Sequence, residues 1–341
     1  MNMIDPEQLK YEGPRRLVSV LIPCYNEQES LPALYNRLSA LIDSLPAFDW
    51  EVIMVNDGST DATFAMLVNM HKRDSRWRYV DLSRNFGKET AMLAGMDYAR
   101  GDCLVIMDAD LQHPPEAIPE MLALWLQGHD DVYGLRRQRG KESWLRRKLS
   151  LAYYNLLQHT TRIPVLRNTG DFRLLDRICV DALTSMRESQ RYTKGLYCQI
   201  GFRKASFEFD QADRDRGKSK WNFFSLLSLA VDGITSYTTS PLRIATVMGL
   251  VVSLVSFIYM IWVFVKALCY GDPQAGFPTI MTVMLFLGGV QLLTLGILGE
   301  YVGRIFNEVK KRPPYFVREV DGKRPESASG RQEKSEKECA Q

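Results

Sequence analysis

Short apolar runs and stretches of helical spacing take turns along the first 135 residues. Residues 17–22 form a β-prone run that stops at Pro23, residues 51–55 a second that stops at the turn Asn56-Asp57-Gly58-Ser59, and residues 103–107 another that stops at Asp108. Residues 78–82 and 131–135 have the same character. Between them, residues 27–44 place Leu31, Leu34, Leu38, Leu41 and Ile42 on one helical face, and a helix capped by Thr60 or Asp61 carries Phe64, Leu67 and Val68. Residues 88–100 and 115–127 complete the helical set, the first ended by Gly101. Strands alternating with helices predict an α/β fold, a mostly parallel sheet covered on both faces. Ligands in such sheets bind beyond the carboxyl ends of the strands. Three polar segments therefore gather on one rim: Cys24-Tyr25-Asn26-Glu27, Asn56 to Asp61, and Asp108-Ala109-Asp110.

The pattern changes after residue 135. Arg136, Arg137, Arg139, Lys141, Arg146, Arg147 and Lys148, broken only by Glu142, lead into an amphipathic stretch through Leu145, Leu149, Tyr153 and Leu156. Arg216-Gly217-Lys218-Ser219-Lys220 leads in the same way into Trp221, Phe224, Leu227, Val231 and Ile234. Cationic residues beside an apolar stripe suit helices lying in a membrane interface. Residues 244–265 and 278–298 carry no charge, and each is long enough to cross a bilayer, which predicts a two-helix transmembrane hairpin. Lys218, Lys220 and Arg243 precede it and Arg304, Lys310, Lys311 and Arg312 follow it, so the α/β domain and the tail are expected in the cytoplasm. The expected organisation is an extension (1–16), an α/β domain (17–215), a juxtamembrane segment (216–243), the hairpin, and a C-terminal segment (299–341) disordered from about residue 319.

Composition narrows the function. A net charge of +3 over 341 residues shows no global nucleic-acid footprint. The six cysteines are scattered without a C-x-x-C pair, which argues against zinc and a disulfide framework and fits a reducing compartment. Residues 1–16 are polar, unlike a secretory signal.

The rim residues suggest a phosphorylated ligand. Pro23, Tyr25, Asn26 and Glu27 offer an aromatic ring and polar groups suited to a base and ribose, and Asp57 an acceptor for either. Arg84-Asn85-Phe86-Gly87-Lys88 enters a helix, where Gly87 permits close backbone approach and Lys88 favours a phosphate. An isolated D-x-D is more often an acidic turn than a metal site. At a strand end facing Asp57 and Lys88, however, Asp108 and Asp110 can hold Mg²⁺ or Mn²⁺ against a diphosphate and so neutralise a leaving group. His113 is assigned to turn packing before Pro114.

Three stretches carry a resemblance: Ile22-Pro23-Cys24-Tyr25-Asn26-Glu27, Asn56-Asp57-Gly58-Ser59-Thr60-Asp61, and Asp108-Ala109-Asp110-Leu111-Gln112-His113-Pro114-Pro115-Glu116. Together they resemble glycosyltransferase family 2, and within it the polyprenyl-phosphate glycosyltransferases, which include bactoprenol glucosyltransferases and dolichyl-phosphate mannose synthases. The likeness spans residues 18–317, including Gly299-Glu300-Tyr301-Val302-Gly303-Arg304. It implies a GT-A fold, a nucleotide-sugar (UDP-sugar) donor and inversion at the anomeric carbon. It also implies donor and metal positions at Asp57, Asp108, Ala109 and Asp110, with Asp171, in Thr169-Gly170-Asp171-Phe172-Arg173-Leu174, near the acceptor. Arg216 to Lys220 corresponds to a flexible loop that closes over phosphates, and Lys218, Lys220, Arg136 and Arg137 are the cations expected for an acceptor phosphate. The Q-x-x-R-W of processive relatives is not matched by Gln190-Arg191-Tyr192-Thr193-Lys194, so one sugar per turnover is expected. The implied reaction is glucose transfer from UDP-glucose to undecaprenyl phosphate at a bacterial inner membrane, for modification of a surface glycan. The alternatives are another sugar (4-deoxy-4-formamido-arabinose, mannose or an N-acetylhexosamine) or a non-catalytic nucleotide-sugar-binding scaffold. Glycines in and beside the spans leave room for a homo-oligomer.

Overall fold

The computed structural model describes residues 13–136, 169–188, 191–209 and 276–324, together with scattered positions between 245 and 265. The described residues divide into two compact units, one holding the α/β sheet and the other the described positions between 245 and 312.

The sheet has eight strands: β1 (Leu17–Cys24), β2 (Asp49–Asn56), β3 (Trp77–Leu82), β4 (Cys103–Ile106), β5 (Asp131–Arg136), β6 (Thr169–Asp176), β7 (Lys204–Phe209) and β8 (Val317–Val320). Their order is β7-β5-β6-β4-β1-β2-β3-β8. The helices of this unit are α1 (Leu31–Asp43), α2 (Thr63–Arg73), α3 (Lys88–Tyr98), α4 (Ile118–Leu126), α5 (Arg177–Ser185) and α6 (Thr193–Gln199). All five predicted strands and all four predicted helices of the first 135 residues are present.

Period-two alternation builds a core on each face of the sheet. Val18, Val20 and Ile22 of β1, with Val52 and Met54 of β2, meet the apolar stripes of α1, α2 and α4. Leu21, Ile53, Val55 and Val80 point the other way and are covered by α3, α5 and α6.

The sheet is mixed, with four parallel and three antiparallel pairings. β1 pairs parallel with β2 and β4, β2 with β3 and β5 with β7, whereas β6 runs antiparallel to β4 and β5, and β8 antiparallel to β3. Strand β8 also changes the expected organisation. Glu319 and Val320 are in the sheet and Lys323 bridges back to Val320, so order continues past residue 319 and residues 313–324 belong to the α/β unit. A short strand rich in charge, Val317-Arg318-Glu319-Val320, has no apolar signature, because an edge strand buries only part of itself.

In the second unit, α7 (Phe277–Val309) is a single helix of 33 residues. Its portion Phe286–Val309 is long and apolar enough to cross a membrane, and it is the one such helix among the described residues. Leu292, Leu295, Val302, Ile305, Phe306 and Val309 stand exposed along it, a larger apolar surface than soluble proteins leave open. The described positions of 245–265 are also helical, with Val251, Leu254, Ile258 and Trp262 exposed. The two expected interfacial helices lie outside the described residues.

Candidate active site

The carboxyl ends of β1, β2 and β4 and the loop after β3 enclose a cleft of about 310 Å³, the size of a small-molecule site. It is lined by Pro23, Cys24, Tyr25 and Glu27 from the first strand end, Asp57 from the second, Asn85, Gly87, Lys88 and Ala91 around the start of α3, and Asp108, Ala109 and Asp110 from the fourth.

Lys88 is its electrostatic centre. The ammonium lies 2.6 Å from Asp108 Oδ1 and 3.0 Å from Asp171 Oδ2, joining the rim to β6. Burial disfavours the Lys88 charge, but Asp108 and Asp171 outweigh it and its pKa stands above the ordinary lysine value. Asp171, unlike the part-exposed Lys88, is buried; burial alone raises a carboxyl pKa, yet Lys88, Lys194 and Arg173 hold this one below the ordinary value. It is therefore an anion at neutral pH. Its Oδ1 is buried without a hydrogen-bond partner among the described residues.

The Asp108–Asp110 turn is held locally. Leu111 takes a positive φ of 58°, and the Gln112 N–H donates to Asp110 Oδ1 at 3.1 Å. The Asp108 N–H donates to His113 Nδ1 at 3.1 Å, so the unprotonated nitrogen faces the turn. The buried imidazole stacks on Phe172 at 4.7 Å. His113 thus packs the turn, as expected.

The loop after β3 is clamped from β2. Asp57 Oδ1 accepts the Phe86 N–H at 2.7 Å and Oδ2 the Gly87 N–H at 2.9 Å. Burial raises the Asp57 pKa, and these two donors and Arg84 only partly offset that. Gly58 makes the clamp possible: its φ is +65°, and a Cβ there would lie 2.5 Å from the backbone of Arg84 and Asn85.

Two predicted donor-site residues, Asn26 and Arg84, stand outside the cleft lining, and Asp171 adjoins it through Lys88. Asn26 accepts the Thr60 N–H at 2.8 Å and donates its own N–H to Ser59 Oγ at 3.1 Å, tying the first strand end to the second. Arg84 lies over the Phe86 ring at 4.1 Å. Both brace loops, which short polar side chains and cation–π contacts do readily. Of the acceptor-site cations, Arg136 ends β5, and Arg137, Arg216, Lys218 and Lys220 lie outside the described residues. The sequence reading did not single out Asn85, Ala91, Glu89 or Lys194. Glu89 Oε2 accepts the Thr193 N–H at 3.0 Å, and its place beside Lys88 at a helix start is the only signal that marked it.

A mixed α/β sheet with paired carboxylates, a lysine and a helix N-terminus beyond its parallel strand ends is the makeup of an enzyme that handles a phosphorylated ligand. Residues 19–183 match the Glycosyl transferase family 2 domain and residues 240–305 the GtrB C-terminal hairpin. An uncharacterized glycosyltransferase of Synechocystis is 41% identical over 89% of this chain and 96% of its own length. The SfII prophage-derived bactoprenol glucosyl transferase of Shigella flexneri is 38% identical over 88% and 97%. Glucosyl-3-phosphoglycerate synthase from Mycobacterium tuberculosis, solved with Mn²⁺, UDP and phosphoglyceric acid, is similar at TM-score 0.48 and 22% identity, over 66% of this chain and 78% of that one. The chain belongs to glycosyltransferase family 2.

Proposed function

We propose that the protein transfers one glucose from UDP-glucose to undecaprenyl phosphate, with inversion, at the cytoplasmic face of a bacterial inner membrane. The observation that carries the reading is the cleft itself, where Lys88 is held between Asp108 and Asp171 beside Tyr25 and Asp57. The bactoprenol glucosyl transferase of Shigella flexneri, alike over nearly its full length, supports the acceptor and the sugar. Exposed apolar residues on α7 and among the described positions of 245–265, with the match to the hairpin family, support two membrane spans.

The donor set suits a hard cation. Asp108 and Asp110 offer two carboxylates beside a cleft, and Asp108 already accepts a cationic group at 2.6 Å. No group of three or more acidic, His or Cys ligands occurs among the described residues, so the donor's diphosphate and water would complete the shell, as is usual for Mg²⁺ and feasible for Mn²⁺. When bound, the metal neutralises charge on the departing diphosphate.

The residues of the chain bind and orient. Tyr25, 47% exposed at the mouth of the cleft, offers its ring to the base. Lys88 and the N–H groups at the start of α3 face the diphosphate. A phosphate oxygen of the acceptor forms a bond to C1 of the sugar as the bond from C1 to the diphosphate oxygen breaks, and the electron pair leaves with the nucleoside diphosphate. A phosphate monoester has a second pKa of about 6 and arrives largely as a dianion, so the attack needs no base. Asp171, held as a carboxylate, orients Lys88 and the acceptor. A donor screen in membranes with undecaprenyl phosphate, read by mass spectrometry of the lipid, tests the reading. A hexose adduct made from UDP-glucose alone is expected. An adduct from another donor overturns the sugar, and none from any donor overturns the activity.

A further inference from the structure

None of residues 315–321 lines the cleft, yet two lines of contact lead from them to the loops that build it. Arg318 Nη1 lies 3.4 Å from Asp81 Oδ2, and Nη2 donates to the Ser83 carbonyl at 3.1 Å. Asp81 is fully buried and its Oδ2 has no hydrogen-bond partner among the described residues, so the guanidinium is its counter-charge. Asp81 Oδ1 accepts from Asn56 Nδ2 at 2.7 Å, Asn56 Oδ1 from the Ser59 N–H at 3.2 Å, and Ser59 Oγ from the Asn26 N–H at 3.1 Å. This line ends at the turns after β2 and β1. On the other, the Ser83 N–H donates to the Phe316 carbonyl at 2.9 Å. The Phe316 ring stands 6.4 Å from that of Phe86, whose N–H is held by Asp57.

We propose that the segment 315–321 is a positioning element of the donor cleft and that Arg318 is its positioning residue, fixing the turn 56–59 and the loop 84–87 from behind. The donor role of the cleft is taken from the function proposed above. A buried carboxylate that loses its counter-charge is left uncompensated, which is strongly destabilising, and here the next group in line is the Asn56 amide that supports Ser59. The hydroxyl of Tyr79, which donates to Glu319 Oε1 at 2.8 Å, belongs to the same strand pairing but to neither line, and so provides the control.

Hydrogen–deuterium exchange of the full-length protein in membranes reads the loops without any assay of activity. In Arg318→Ala, peptides covering 57–61 and 84–88 should exchange about tenfold faster than in the wild type. Arg318→Lys should restore most of the protection and Tyr79→Phe should leave it unchanged. Titration with UDP and Mn²⁺ should show about tenfold weaker binding in Arg318→Ala. If that variant does not fold, Phe316→Leu serves in its place and accelerates 84–88 but not 57–61. Unchanged exchange in Arg318→Ala overturns the proposal. So does equal acceleration in Tyr79→Phe, which would make the segment an ordinary sheet edge. Faster exchange with no UDP binding even by the wild type upholds the positioning of the loops and overturns the donor reading instead.

Discussion

Asp171→Asn separates a catalytic base from an orienting anion. Asp171 Oδ2 lies 3.0 Å from the Lys88 ammonium; at an effective dielectric of ~20 that attraction is about 5 kcal/mol before screening. Lys88 is 42% exposed, so the net value falls to the ~1.5–3 kcal/mol of a hydrogen bond to a charged group. Asparagine keeps an oxygen for Lys88 but loses the charge. The expected cost is therefore about 10- to 150-fold in kcat/KM. The pH profile supplies the second readout. The Asp171 carboxyl is held below its ordinary value, so it is already ionised where the acceptor's second proton leaves, near pH ~6. Activity in the wild type should rise through that region, and the same limb should remain in Asp171→Asn at reduced height. Initial rates with purified enzyme in nanodiscs, from pH 5 to 8, measure both. Loss of the limb together with a fall beyond about 10³-fold, the range of a general base, would refute the orienting role.

Four further outcomes are expected. Gly58→Ala places a Cβ 2.5 Å from the backbone at Arg84 and Asn85 with φ at +65°; it should cost ~1–3 kcal/mol in urea unfolding and raise the donor KM, and an unaltered midpoint and KM would contradict the clamp. Arg173→Met strips Asp131, fully buried, of a partner at 3.2 Å and leaves it Lys204 at 3.6 Å, so unfolding should show a loss of ~3–5 kcal/mol. Chelation with EDTA should abolish transfer and added Mg²⁺ or Mn²⁺ restore it. Asp110→Asn should raise the metal concentration for half-maximal rate by about tenfold at least, the loss that even outer partners of a metal produce; transfer in excess EDTA would remove the metal from the reaction.

The cleft was legible because its residues sit where period-two runs stop. Pro23, Asp57 and Asp108 each mark the end of a buried strand, and a parallel sheet must bring such ends together. Loop polarity looks alike whether it serves a ligand or the backbone, so the bonds of Asn26 to Ser59 and Thr60 are visible only in the structure. Strand β6 escaped notice because Asp171 and Arg173 give an interior strand the composition of a surface one. Arg173 is buried against Asp131 and over the Tyr197 ring at 3.4 Å, a partnership no local pattern encodes. Strand β8 was lost for the opposite reason, since an edge strand needs little apolar character.

The order in which the ribosome delivers the strands gives β8 a further meaning. Seven of the eight strands are complete by Phe209, and the eighth begins at Val317, after α7 has been made. At roughly 5–20 residues per second, β3 waits roughly 10–50 seconds with an open edge, the kind of edge that invites pairing with other chains. Partner strand and apolar helix leave the ribosome in close succession, so the sheet is finished only when the long apolar helix already exists. A chain that stalls before residue 317 would leave the edge of β3 bare and the turn 56–59 and the loop 84–87 without their support from behind.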